Sequence, residues 1–127
     1  LTQVSDVMRS AEAVPAVPDS ASLSAAILEI TRKRMGMTAV LSADGLLAGI
    51  FTDGDLRRLL EREGDIRRLG VAQAISTTPT TIGPSALAAE AVKLMEDKRI
   101  SQLLVVDADR RLLGAVHIHD LLTAKVV

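Results

Sequence analysis

A chain of 127 residues can form one compact domain and bury roughly two-thirds of its unfolded surface, and 48% hydrophobic against 24% charged residues places it with globular sequences, not disordered ones. Fifteen Lys and Arg against sixteen Asp and Glu leave a formal net charge of -1, and Phe51 is the only aromatic, so nothing draws in phosphate backbones or anionic lipid and no base can stack: neither nucleic acid nor membrane is a partner. The lack of cysteine removes disulfide staples, thiolate nucleophiles and Cys-based zinc sites and is compatible with a reducing, cytoplasmic setting, while no apolar run approaches the ~20 residues of a membrane span and no signal-peptide layout is visible.

The chain opens on Leu1, not Met, and Leu1-Thr2-Gln3-Val4 reads as the interior of a longer protein. Val4 to Met8 is a short apolar lead-in with a short strand behind it. Leu23, Ala26, Ile27 and Ile30 fall at i, i+3, i+4 and i+7, one face of a helix opened by Ser20 or Ser22 as cap. Met37 to Leu41 and Leu46 to Thr52 are strand-like runs split by Ala43-Asp44-Gly45, whose glycine supplies the positive φ of a hairpin turn. A closing helix begins near Asp53, with Asp53 and Asp55 in its first turn, where a carboxylate gains ~0.3 to 1 kcal/mol from the helix dipole. Glu63 to Gly70, charged and bearing two glycines, reads as a linker.

The same order then returns. A lead-in runs from Val71 to Ile75, and a helix carries Leu87, Ala91, Leu94 and Met95 behind Ser85. Strands Leu103 to Val106 and Leu112 to Ile118 flank Ala108-Asp109-Arg110-Arg111, a turn without glycine, and a closing helix starts at Asp120-Leu121-Leu122. Lys33-Arg34 and Lys98-Arg99, Val40 and Val105, Ala43-Asp44 and Ala108-Asp109, Gly49 and Gly114, and Asp55-Leu56 and Asp120-Leu121 are each 65 apart. Leu23 and Ile30 match Leu87 and Leu94 at 64, which implies one residue inserted or lost. The chain therefore divides into repeat 1 (1–62), linker (63–70) and repeat 2 (71–127), with Leu23, Ile27, Ile30, Val40, Leu87, Leu94 and Val105 as core and Met8, Met35, Met37 and Met95 as gap-filling residues.

Gly49-Ile50-Phe51-Thr52-Asp53-Gly54-Asp55 carries a full Gly-x-x-Thr-x-x-Asp signature at a strand-to-helix junction. In repeat length, element order and motif, nearly the whole chain resembles the CBS domain, named after cystathionine beta-synthase. The resemblance implies an α/β (α+β) fold of two β-α-β-β-α repeats packed about a pseudo-twofold axis. A narrower likeness lies in Gly49 to Arg58, in Thr31-Arg32-Lys33 with Gly36-Met37-Thr38, and in His117-Ile118-His119-Asp120-Leu121-Leu122. These resemble the C-terminal CBS pair of bacterial arabinose-5-phosphate isomerases, which implies an N-terminal sugar isomerase domain ahead of Leu1. That domain interconverts ribulose 5-phosphate and arabinose 5-phosphate, the first committed metabolite toward the lipopolysaccharide sugar Kdo.

The junction has a physical rationale of its own. Thr52 offers a hydroxyl at a strand end, Asp55 a carboxylate one turn later, and the helix N-terminus between them unpaired N–H groups that favour phosphate. A carboxylate can accept two ribose hydroxyls, and the resemblance implies this use of the matching positions. The alternative is that Thr52, Asp53 and Asp55 only cap the helix. Arg57 is assigned to ligand anions or to solvent, Arg58 to solvent. In the second copy His117 stands in the place of Thr52 and His119 in that of Gly54, while Asp120 is kept; the imidazoles either present themselves to an anionic ligand or are structural. No metal site is assigned, because His117, His119 and Asp120 lack a further ligand at zinc spacing. Gly36-Met37-Thr38 and Ser101-Gln102 precede or open the inner strands, where the resemblance implies base or sugar contacts.

The leading reading is regulatory: a nucleotide or nucleotide sugar binds between the repeats and adjusts the attached isomerase domain. CMP-Kdo is the favoured effector, AMP or ATP the alternative, and no cofactor is required. The competing readings are a purely structural oligomerisation module with a vestigial pocket and an adenine-nucleotide sensor of another enzyme. Catalysis by this segment is not expected, since no nucleophile–base constellation can be assembled from two nearby histidines and scattered carboxylates. The closing helices are expected to pair in a homodimer.

Overall fold

The computed structural model describes residues 1–125. It holds two three-stranded mixed sheets, each built to the same plan. In the first, β1 (Ala16–Pro18) runs parallel to β2 (Met37–Leu41), which is antiparallel to β3 (Leu47–Thr52), with α2 (Leu23–Lys33) and α3 (Asp53–Glu63) as its helices. In the second, β4 (Thr81–Ile82), β5 (Gln102–Val106) and β6 (Leu112–His117) repeat this arrangement with α4 (Ala88–Lys98) and α5 (Ile118–Thr123). The lead-ins form a helical turn, α1 (Val4–Val7), and a 3-10 turn (Val71–Gln73). The β-α-β-β-α order is the one that the resemblance implies.

Local chemistry accounts for most element ends. Ser22 caps α2, its hydroxyl accepting the Ala25 N–H at 3.1 Å, and Arg34 at φ 60° with Gly36 at φ 70° ends the helix. Gly45 at φ 79° turns the first hairpin. The second hairpin forms without a glycine: Arg110 takes the left-handed conformation at φ 65°, held by the Asp107 carboxylate, which accepts the N–H groups of Asp109 (2.8 Å) and Arg111 (2.9 Å).

Four sequence expectations are corrected. The helices align at a spacing of 65, not 64, because the buried faces are Leu23, Ala26 and Ile30 in α2 and Ala88, Ala91 and Met95 in α4; no residue is inserted or lost between these helices and the strands that follow. Matching Leu with Leu followed residue type, whereas burial follows the face each helix turns to its sheet. Leu87 is accordingly not core but the half-buried N-cap of α4, and Ile27 and Leu94 lie partly buried against the two cores. Ser85 does not cap α4; instead the Glu90 carboxylate accepts the Leu87 N–H at 3.4 Å. Finally, β6 ends at His117, and Ile118 is already the first residue of α5.

Each compact unit draws on both repeats. One comprises residues 15–79, the other residues 1–14 with the chain from Thr80 onward. Ser76 from the second lead-in pairs with Ile50 in β3 (N–H···O distances 2.9 and 3.0 Å), and Arg9 from the first pairs with Ala115 in β6 (2.8 and 3.0 Å). Ser76 and Arg9 therefore hold equivalent places. The approach is close enough to require glycine beneath it: a Cβ on Gly49 would lie 2.4 Å from the Ser76 carbonyl oxygen, and one on Gly114 would lie 2.6 Å from that of Arg9. The core of the 15–79 unit gathers Val17, Leu23, Ala26, Ile30, Val40, Phe51, Leu59 and Val71. That of the other unit gathers Val4, Ala88, Ala91, Met95, Leu103, Val105, Val116 and Leu121.

Candidate functional site

Thr52 is the last residue of β3 and the N-cap of α3, so strand and helix together fix its side chain. It forms a reciprocal capping box with Asp55: the Thr52 hydroxyl accepts the Asp55 N–H at 3.1 Å, and Asp55 Oδ2 accepts the Thr52 N–H at 2.9 Å. The other carboxylate oxygen, Oδ1, accepts from Arg58 at 2.7 Å. Arg58 keeps 69% of its side chain exposed, so this is a surface ion pair of the kind worth about 0 to 1 kcal/mol and easily exchanged. A cavity of about 220 Å³ adjoins the pair, lined on one side by Asp55, Arg58, Leu59 and Arg62 of α3 and on the other by Gln73, Ala74 and Ile75.

Arg58 is exposed, as expected, and is also the arginine that reaches Asp55. Arg58 turns to Asp55 and the cavity, while Arg57 lies exposed and outside the cavity lining. Asp53 is exposed, and its N–H donates to the Gly36 carbonyl at 3.0 Å, tying the loop before β2 to the start of α3. Met37 stands opposite Thr52 in the β2–β3 register; it and Thr38 are fully buried, and the Thr38 hydroxyl donates to the Ala39 carbonyl at 3.0 Å. Gly36, Thr52, Asp53 and Asp55 thus form one junction, with Met37 and Thr38 beneath it.

The second junction has the same skeleton. The Ser101 carbonyl accepts the Ile118 N–H at 2.8 Å, Gln102 stands opposite His117, and the His117 N–H donates to Asp120 Oδ2 at 3.0 Å. Its side chains differ. His117 Nδ1 accepts the His119 N–H at 3.1 Å, which leaves the neutral ring's proton on Nε2, and the two imidazoles stack at 4.8 Å with planes 20° apart. Asp120 is gripped by Arg9, whose Nε reaches Oδ2 at 3.1 Å and Oδ1 at 3.3 Å while Nη2 reaches Oδ1 at 3.1 Å. Nothing in the sequence pattern singles out Arg9, 111 residues from its partner. Among the described residues no group of three or more His, Asp or Glu is arranged to hold a metal ion.

Partial burial, first of all, and then the nearby His119 and Arg9 hold the His117 pKa below 6.5, against the opposing pull of Asp120. Unfolded His117 titrates near 6.5, so below that pH the unfolded state binds more protons and stability falls with acidification. Urea midpoints should therefore drop between pH 7.5 and 5.5, and should drop less in His117→Asn, which keeps a capping side chain but no titrating group. Equal pH sensitivity in both proteins would overturn this.

Comparison with known proteins decides the family, for the CBS domain matches twice, over residues 4–62 and 71–127. The chain is a tandem pair of CBS domains. All 127 residues of this CBS pair align at 50% identity with 39% of the arabinose 5-phosphate isomerase KdsD of Pseudomonas aeruginosa, and at 42% with 38% of that of Escherichia coli K12. The CBS pair thus spans under two-fifths of the length of these curated relatives, and the matching part is their C-terminal one. Its fold is that of CBSX2 in complex with AMP (TM-score 0.84, 22% identity, 99% of this chain and 97% of that one). It is also that of the CBS domain pair of MJ0100 in complex with 5'-methylthioadenosine and S-adenosyl-L-methionine (TM-score 0.86, 19% identity, the same coverage). Among the described residues no helix is long and apolar enough to cross a membrane.

Proposed function

We propose that this CBS pair is the regulatory part of a cytoplasmic arabinose-5-phosphate isomerase and binds a nucleotide or nucleotide sugar at the Thr52–Asp55 junction. The 50% identity to KdsD along the whole chain supports the parent enzyme. The observation that carries the ligand reading is Asp55 itself: Oδ2 is committed to the helix cap, while Oδ1 is held only by an exposed arginine at the rim of a cavity. A ribose hydroxyl displaces Arg58 from Oδ1 at little cost, and Arg58 and Arg62 then meet the phosphate. CMP-Kdo suits these groups, with a ribose for Asp55 and both a phosphate and a carboxylate for the arginines; AMP and ATP are the alternatives.

The role we assign is sensing, not catalysis, because Asp55 and Asp120 are engaged in caps and ion pairs, the two imidazoles stack on each other, and no base stands beside a nucleophile at either junction. Melting curves with CMP-Kdo, CMP, AMP, ATP and arabinose 5-phosphate test the reading. A ligand at a hundredfold excess over its Kd stabilises by ~2.7 kcal/mol, and a chain that shifts with none of the nucleotides is no sensor.

The structural reading has support of its own at the closing helices, where Leu60 on α3 and Leu122 on α5 remain 44% and 48% exposed. A homodimer that covers these leucines accounts for their exposure. Sedimentation should give a dimer at high micromolar concentration and a monomer after Leu60→Asp with Leu122→Asp; a wild-type monomer under those conditions would count against it.

A further inference from the structure

The two junctions share a backbone but not a charge balance. Arg9 and Ser76 occupy equivalent places beside β6 and β3, yet only Arg9 carries a cation to the carboxylate that its unit supplies. Asp120 is consequently engaged at both oxygens, by the Arg9 fork and by the His117 N–H, and the pair is largely shielded, with 30% of the arginine side chain and 21% of the aspartate exposed. Asp55 has only the exposed Arg58 on its outer oxygen. A forked, shielded guanidinium–carboxylate pair resists exchange far better than a single exposed contact, since breaking it strips two charged groups that water cannot fully reclaim.

We propose that Arg9 is a latch: it fills the diol-accepting carboxylate of the Asp120 junction, so the pair takes one nucleotide per chain, at Asp55. His117 in place of Thr52 adds an imidazole at that junction, but the latch, not the imidazole, excludes the ligand. The proposal deepens the reading of Asp55 as a ribose acceptor and rests on it for the chemistry of the ligand.

The test is stoichiometry by titration calorimetry with CMP and, in parallel, AMP. Three proteins are compared: wild type, His117→Thr, and Arg9→Ser with His117→Thr, the last placing at the Asp120 junction the residue types of Thr52 and Ser76. Binding should rise from one nucleotide per chain to two in the double variant and stay at one in His117→Thr. A second nucleotide bound by wild type or by His117→Thr would overturn the latch, as would a folded double variant that binds only one. Arg9→Met with His117→Thr keeps the aliphatic stem and serves if the serine variant does not fold. Should wild type bind no nucleotide, the Asp55 reading fails on its own; one site gained in the double variant then still supports the latch, and none gained overturns it.

Discussion

Asp55→Ala is expected to weaken nucleotide binding at least ~tenfold while the chain stays folded. The substitution removes an acceptor for ribose hydroxyls, and hydrogen bonds to a charged group are worth roughly 1.5 to 3 kcal/mol each, where ~1.4 kcal/mol is a factor of ten. It also removes the Oδ2 half of the capping box, a loss of ~1 kcal/mol that leaves a domain of ordinary stability intact. Asp55→Asn separates the two effects: an amide oxygen still accepts the Thr52 N–H, so the melting temperature should stay near wild type while affinity falls. Calorimetry showing unchanged affinity in Asp55→Ala would remove the ribose assignment.

Phe51→Ala should cost ~3 to 5 kcal/mol, a large share of the 5 to 15 kcal/mol that holds a typical domain. Phe51 is fully buried on β3, in one core cluster with Leu59 of the helix that Thr52 caps, so its loss leaves a cavity in that core. Its counterpart 65 residues on, Val116, is equally buried but offers only two methyl groups beyond alanine, worth about 1.6 kcal/mol at ~0.8 per buried carbon. Val116→Ala should therefore be the milder variant. With no tyrosine or tryptophan present, far-UV circular dichroism in urea is the suitable readout. A loss below ~1 kcal/mol for Phe51→Ala would mean that this core closes around the missing ring.

Much of this molecule is legible along the chain. The 65-residue repeat shows on self-comparison, and the helix face at Leu23, Ala26 and Ile30, the Gly45 hairpin and the Thr52–Asp55 box each rest on chemistry within about eight residues, the range of periodicity, turn residues and caps. The second hairpin leaves a fainter mark in the sequence because Asp107 does with a side chain what Gly45 does with backbone freedom.

What the sequence by itself determined is the element order and the first junction; what only the tertiary structure decided is who stands beside whom. A lead-in carries no mark of which sheet edge it will join, because edge N–H and C=O groups are the same everywhere. Only the folded chain sets Val4 to Val14 with the second repeat's strands and Val71 to Ser76 with the first's. From that exchange follow the need for glycine at 49 and 114 and the Arg9–Asp120 pair. Spacing along the chain could not reveal that pair, since an ion pair depends on distance in space and these two residues meet only after the sheet has formed.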